Sequence, residues 1–164
     1  MNNEVHHEVT QSGSGGEARA PDTEKITIDH FELVILSELL KHSYLPISRF
    51  VMSNSQTDDV QFVALAPVYI HHKTDSIEMV KSFAERLSAM EAKKLISLDY
   101  GDALQGYNYK KHLDSEAFHY FESIVSEGAQ KSDFLCDTAE IEYGSISITQ
   151  FGLVAARKIF KAIE

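Results

Sequence analysis

The stretch 75-DSIEMVKSFAERLSAMEAKKLISLDYGDALQGYNYKK-111 decides the fold of this chain, because it predicts a helix that runs directly into a β-hairpin. Within residues 75–93, apolar side chains recur at helical spacing and polar residues occupy the opposite face. Residues 95–100 then alternate apolar and polar positions as a strand does. Residues 101–106 supply a turn, and residues 107–111 are expected to form the returning strand.

The segment before this unit predicts two further helices. Asp29 is a suitable N-cap for a helix over residues 29–42, and Glu32 completes a capping-box pattern three residues later. A short second helix is expected over residues 47–52, with Pro46 in its first turn. It is followed by a polar, turn-rich segment.

Residues 53–59 form this segment and are expected to be a loop. Residues 60–72 are strongly apolar. Both a strand and a helix are possible for this segment, since Pro67 would interrupt either one. A helix is favoured for its first half. Residues 114–126 predict an amphipathic helix with Ser115 as its cap, and residues 128–137 a loop.

The end of the chain predicts a strand followed by a helix. Residues 144–149 alternate as a strand, and Thr149 then caps a helix over residues 150–163. The fold class is therefore α+β and mostly helical. Residues 1–24 have a flexible-linker composition and predict a disordered tail, which leaves a single domain over residues 25–164.

Composition narrows the cellular setting of this domain. The chain of 164 residues has one cysteine, so no internal disulfide can form, and we expect a cytoplasmic protein. No apolar run is long enough for a membrane span, so no membrane partner is expected. The net charge of −10 opposes binding to nucleic acid. Residues 75–111 carry six basic and six acidic side chains, so this unit alone is not acidic.

Two motifs carry a resemblance to a known superfamily. The helix over residues 83–92 and the following KKLISLDYGDALQGYNYKK resemble the recognition helix and wing of winged helix-turn-helix proteins. The closing GSISITQFGLVAARKIF (residues 144–160) is similar to the I-x-L-T-x-x-G pattern that ends phage-defence Abi-alpha-like bacterial proteins of unknown function. Ile146, Ile148, Thr149 and Gly152 occupy its four positions, with Ile148 in place of the usual leucine.

The resemblance implies a winged-helix-like domain with a small β-hairpin or three-stranded sheet and additional helices. It implies a DNA-binding or regulatory protein, with transcription regulation or phage defence as the process. Phosphate contacts would position the domain and helix residues would read base edges. The candidate nucleic-acid-binding residues are Lys81, Arg86, Lys93, Lys94, Gln105, Asn108, Lys110 and Lys111. Glu78 and Glu85 share the exposed helix face and would repel phosphates.

Two other functions are open on the sequence. The acidic balance favours a protein-interaction module that keeps the scaffold without binding DNA, with a protein partner or a second copy as its ligand. Glu116 and His119 have the Glu-x-x-His spacing of a metal-binding helix, and His112 lies seven residues before His119, so a metal-dependent enzyme is open. A di-iron site needs two such motifs, and the chain has one. Cys136 has no neighbouring base to activate it. We therefore expect no cofactor, no metal and no catalytic residues.

Overall fold

A computed structural model describes residues 27–163, so the tail predicted at residues 1–24 lies outside the described part of the chain. Within residues 27–163 five helices and four strands follow one another. They are helix α1 (His30–His42), strands β1 (Tyr44–Asn54) and β2 (Thr57–Val68), helix α2 (Ile77–Ala92), strand β3 (Ile96–Asp99), helices α3 (Lys110–Leu113) and α4 (Glu116–Gly128), strand β4 (Thr138–Ile148) and helix α5 (Gln150–Ile163). The predicted α+β class is confirmed.

The start of α1 has the predicted capping box. The Asp29 side chain accepts a hydrogen bond from the Glu32 N–H, and the Glu32 carboxylate accepts one from the Asp29 N–H, both at 2.9 Å. Two of the N–H groups that a helix start leaves without partners are thereby satisfied. The buried face of α1 consists of Glu32, Ile35, Leu36 and Leu39.

The other three long helices also match their predictions. Helices α2, α4 and α5 occupy the segments where apolar residues recur at helical spacing. Ser115 caps α4 by accepting a hydrogen bond from the Phe118 N–H at 3.1 Å. Thr149 caps α5 by accepting one from the Gly152 N–H at 2.8 Å. Both capping residues are therefore the ones that the sequence predicts.

Strands β1 and β2 form an antiparallel hairpin where the sequence favoured helices. The short helix predicted at residues 47–52 and the helical first half of residues 60–72 are therefore wrong. Both faces of β1 are covered, since Ile47, Phe50 and Val51 each expose 1% or less. A strand buried on both faces has no apolar–polar alternation, so its periodicity does not distinguish it from a short helix. The predicted loop at 53–59 shortens to a turn between Asn54 and Thr57.

Pro46 lies within β1 at a position where a proline is tolerated. It pairs with Ser145 of β4, whereas the β1–β2 ladder begins only at Ser48. β1 therefore has no β2 neighbour beside Pro46, and the absent N–H of the proline removes no bond on that side. Pro67 lies near the end of β2, which is an edge strand of the sheet.

The sheet is antiparallel, has the order β2-β1-β4-β3, and lacks the predicted wing hairpin. β3 pairs with β4, with Ile96 opposite Ile148 and Asp99 opposite Ser145. Residues 107–109 form no strand and α3 follows them, so the returning strand predicted at residues 107–111 is wrong. The described sheet therefore has four strands instead of a hairpin or three strands.

Tyr109 accounts for the misleading alternation of this segment. Its side chain is buried, and its hydroxyl donates to the Gly144 carbonyl at 2.9 Å and accepts from the Leu104 N–H at 2.8 Å. Its ring centroid lies 4.4 Å from that of Tyr143. The inward-facing tyrosine thus fastens the loop before α3 onto β4, and β3 pairs with β4 instead of with residues 107–111.

The sheet lies between two hydrophobic clusters, because successive side chains of a strand point to opposite faces. Leu45 and Ile47 of β1 belong to the first cluster, which includes α1, α5 and the second half of α2. Phe50 belongs to the second cluster, which includes Val80 of α2 and the aromatic face of α4. None of the described helices has the length and apolar character that crossing a membrane requires.

The closing Thr-x-x-Gly pattern fastens α5 to the turn between α2 and β3. The Thr149 hydroxyl donates to the Lys94 carbonyl, and the Thr149 N–H donates to the Leu95 carbonyl at 3.1 Å. A Cβ at Gly152 would lie 1.9 Å from the same Leu95 oxygen, so only glycine fits there. The strand-to-helix pattern therefore has a structural explanation in this packing.

Candidate interaction surface

Arg86 and Lys93, two of the candidate nucleic-acid-binding residues, instead hold the N-terminus of α1. The Lys93 ammonium donates to Glu32 Oε1 at 3.0 Å and to the Thr27 carbonyl at 2.8 Å. The Arg86 Nε lies 3.6 Å from Asp29 Oδ2, and its guanidinium lies over the Phe31 ring at 5.6 Å from the centroid. Both cations already have anionic partners, which lowers their value as phosphate ligands.

Lys81 and Lys94 are exposed and make no salt bridge to a described residue. Lys81 lies on the outer face of α2, which also carries Glu78 and Glu85. Lys94 has a φ of 62° and ends α2, with its N–H bonded to the Glu91 carbonyl at 2.9 Å. This is the left-handed position at which a Schellman motif usually has glycine.

The four candidates of the predicted wing lie in a loop and in α3. Gln105 is exposed in the loop, and the Asn108 side chain accepts a hydrogen bond from the Lys110 N–H at 2.8 Å. The Lys111 ammonium donates to the His71 carbonyl at 3.3 Å. The Lys111 side chain therefore contacts the loop after β2, and Lys110 and Lys111 lie in α3 instead of in a hairpin beside α2.

The three residues of the metal hypothesis do not form a site. His112 is buried, with 1% of its surface exposed, whereas Glu116 and His119 are exposed on α4. Residues 27–163 contain no group of three or more His, Cys, Asp or Glu side chains arranged to hold a metal ion. The helical spacing of Glu116 and His119 is real, but nothing in the described chain adds a third ligand to it.

His112 instead forms a buried pair with Ser48, whose hydroxyl lies 2.8 Å from His112 Nδ1. Burial is the main cause that lowers the pKa of His112 to about 4, and the neighbouring Lys111 charge lowers it further. Ser48 is fully buried, so a substrate could not reach its hydroxyl. The pair is suited to holding α3 against β1 and not to nucleophilic chemistry.

The most conspicuous feature of the described surface is the free edge of β2, which the sequence predicted as a loop and a helix. β2 is paired with β1 on one side only. Residues 57–64 are exposed or half-exposed along this edge, and the covered part begins only toward Val68. Phe62 and Val63 expose 48% and 51% of their surface. We call residues 57–64 the β2 edge.

The two faces of the sheet beside the β2 edge differ in chemistry. Directly opposite residues of neighbouring strands share a face, so Val63, Val51 and Glu140 lie on one side. This side carries a shallow cleft of about 380 Å³ whose lining includes Gln61, Thr138 and Glu140. Phe62, with Met52 and Ala139, lies on the other, apolar side.

Carboxylates surround this end of the sheet. Residues 53–64 and 132–142 contain six Asp or Glu side chains and neither Lys nor Arg. Glu142 is paired with Arg49, while no salt bridge to a described residue holds Asp58, Asp59 or Glu140. The end of the sheet with the free edge is therefore strongly acidic.

The segment before β4 is tied to the same end. The Asn54 side chain donates to the Leu135 carbonyl at 2.7 Å, and the Asp137 N–H donates to the Ser53 carbonyl at 3.0 Å. Hydrogen bonds from Ser55 lower the pKa of Asp137, so this carboxylate adds to the negative charge. The Leu135 side chain is 61% exposed beside the hairpin turn. Cys136 is buried, and burial raises its pKa, which keeps the thiol protonated.

The exposed edge of β2 could not be predicted from the local sequence. The apolar run QFVALAPV is visible in the sequence, and a strand was one of its two interpretations. Its exposure depends on β2 lying at the end of the strand order, which is a property of the whole sheet.

Comparison of the chain with protein-family models, with curated proteins and with solved structures finds no match.

Proposed function

We propose that this chain is a protein-interaction module that binds its partner along the β2 edge. The observation that carries the proposal is the unpaired edge strand on which the apolar side chains of Phe62 and Val63 are exposed. An edge strand presents a row of free N–H and C=O groups that a strand of another chain can pair with. Proteins usually protect such edges with charged residues, proline, bulges or a cover; Asp58 and Asp59 lie at the start of this edge, and residues 60–64 contain neither a charged residue nor proline.

In-cell photo-crosslinking tests this function directly. A photo-reactive amino acid is placed at position 63 and, as a matched control, at position 120, because Tyr120 on α4 is 49% exposed. We expect a discrete protein adduct from position 63 that position 120 does not give. Asp59→Pro removes a backbone N–H from the edge and places a proline ring there, so it should reduce the amount of adduct. Equal labelling at both positions would contradict the proposal.

A second candidate function is the duplex-DNA binding that the winged-helix resemblance implies. Its support is the group of cations at Lys73, Lys110 and Lys111. The Lys73 carbonyl accepts a hydrogen bond from the Glu116 N–H at 2.8 Å. The Lys111 ammonium donates to the carbonyl of His71, two residues before Lys73. If the chain binds DNA in this way, the contacts come from α3, because Arg86 of α2 and Lys93 at the end of that helix already contact α1.

The DNA function is tested by retardation of random duplex at low salt, where phosphate contacts are strongest. Binding that is lost in Lys110→Ala/Lys111→Ala and retained in Lys81→Ala supports it. No retardation at about 20 mM salt removes the DNA function.

A further inference from the structure

We infer that the partner of the β2 edge is an extended peptide segment in which basic and apolar residues alternate. The inference rests on the proposed function of the β2 edge and adds the chemistry of its ligand. It follows from three features of the described residues: the free backbone of the edge, the different chemistry of its two faces, and the sign of the surrounding charge.

The free backbone selects an extended ligand. Eight residues of β2 lie exposed or half-exposed beside solvent, with no second strand to use their outer N–H and C=O groups. A strand of the partner satisfies these groups in register, whereas a helix leaves them without bonds. The hydrogen bonds supply affinity that does not depend on the side chains of the ligand.

The different chemistry of the two faces of the sheet favours a ligand whose basic and apolar residues alternate. Successive side chains of an added strand point alternately to the two sides of the sheet. One set lies beside Phe62, next to Met52, and is apolar. The other set lies beside Val63 and the cleft that Glu140 lines, where a lysine or arginine stem can pack on Val63 while its cation reaches the carboxylate.

The surrounding charge selects basic residues and disfavours a second copy of this chain. Asp58, Asp59 and Glu140 attract cations, and no Lys or Arg occurs in residues 53–64 to oppose them. A second copy brings the same carboxylates to the interface, and both molecules carry a net charge of −10. Nucleic acid is repelled at this edge for the same reason.

The binding experiment uses the full chain and a ten-residue peptide of alternating Lys and Val. Two control peptides have alternating Glu and Val, and the same Lys and Val residues in two blocks. We expect fluorescence anisotropy to show binding of the alternating basic peptide and of neither control, with a Kd that increases as the salt concentration rises. Hydrogen exchange of amides in residues 57–64 should slow when the peptide binds.

Matched variants test the role of charge. Asp58→Asn/Asp59→Asn/Glu140→Gln should weaken binding about tenfold, because it removes the carboxylates beside the edge. Glu122→Gln/Glu127→Gln changes exposed carboxylates of α4 and should leave the Kd within about twofold. Equal effects of the two variants, or no protection in residues 57–64, would overturn the inference.

The crosslinked partner separates the inference from the proposed function. An adduct at position 63 whose partner peptide lacks Lys and Arg overturns the inference and leaves the interaction function in place. An adduct with a second copy of this chain does the same. An absent adduct at position 63 contradicts the proposed function itself.

Discussion

At the scale of single residues, His112 links burial to the pH dependence of stability. Its imidazole is packed between Ser48 and Tyr109, with a ring-centroid distance of 5.9 Å to the tyrosine. A folded-state pKa of about 4, below the ordinary 6.5, means that the unfolded chain binds the proton more readily. His112 therefore stabilises the fold above about pH 6.5, and this contribution is lost as the pH falls through about 4.

We predict that His112→Asn flattens this part of the stability curve. Asparagine can keep a hydrogen bond to Ser48 but cannot titrate. The difference in unfolding free energy between the wild type and the variant should shrink by about 3 kcal/mol between pH 7 and pH 4. Urea unfolding at several pH values measures it. A constant difference across this range would show that His112 does not titrate as its burial implies.

Gly152 gives the second prediction at this scale, because its missing Cβ allows α5 to approach the Leu95 carbonyl. Gly152→Ala should destabilise the fold by about 3 kcal/mol or more, despite the better helix propensity of alanine. Gly101→Ala is the control, since its Cβ would meet only the Asp99 side chain at 3.2 Å. Thermal unfolding compares them, and a Gly152→Ala protein as stable as the wild type would refute the close approach.

At the scale of elements, the amphipathic helices were predictable and the central strands were not. Helix α2 shows its pattern locally, because one face is buried and the other exposed. Strand β1 is buried on both faces, so its pattern resembles that of any short apolar segment. The sequence also did not reveal the partner of β3, because the paired residues lie 46 to 52 positions later in the chain, from Asp99–Ser145 to Ile96–Ile148, and a nearer alternating segment was present.

The same distinction holds for the candidate site. Lys81 and Lys94 are exposed, as a surface interpretation requires, but Arg86 and Lys93 are used within the fold. The sequence shows that Lys93 lies at the end of a helix. It does not show that α1 places the Glu32 carboxylate beside that lysine. The β2 edge was missed because exposure of an apolar strand depends on strand order.

We predict that Lys93 stabilises the contact between α1 and α2. Lys93→Met leaves the buried Glu32 carboxylate without its cation and should cost about 2 kcal/mol. Lys81→Met, on the outer face of α2, should change stability by less than about 0.5 kcal/mol. Chemical denaturation measures both. Adding Glu32→Gln to Lys93→Met should recover part of the loss, and failure to do so would mean that the pair is not coupled.

At the scale of the whole molecule, net charge and the free edge oppose each other. The unpaired β2 edge favours strand pairing between copies, whereas a net charge of −10 keeps the copies apart near neutral pH. This balance favours the proposed basic partner, because such a partner would pair with the edge and neutralise the charge at once. Lowering the pH removes the repulsion without supplying a partner.

We therefore predict that the free protein self-associates through the β2 edge as its net charge approaches zero, at about pH 5. Val63→Lys should reduce this association, because a charge on an edge strand disfavours edge-to-edge pairing. Ile124→Lys on α4 is the control, since it adds the same charge at a residue with similar exposure, 44% against 51%. Sedimentation velocity, with circular dichroism to confirm that the fold persists, measures the effect. If both variants reduce association equally, net charge alone governs it and the edge has no part.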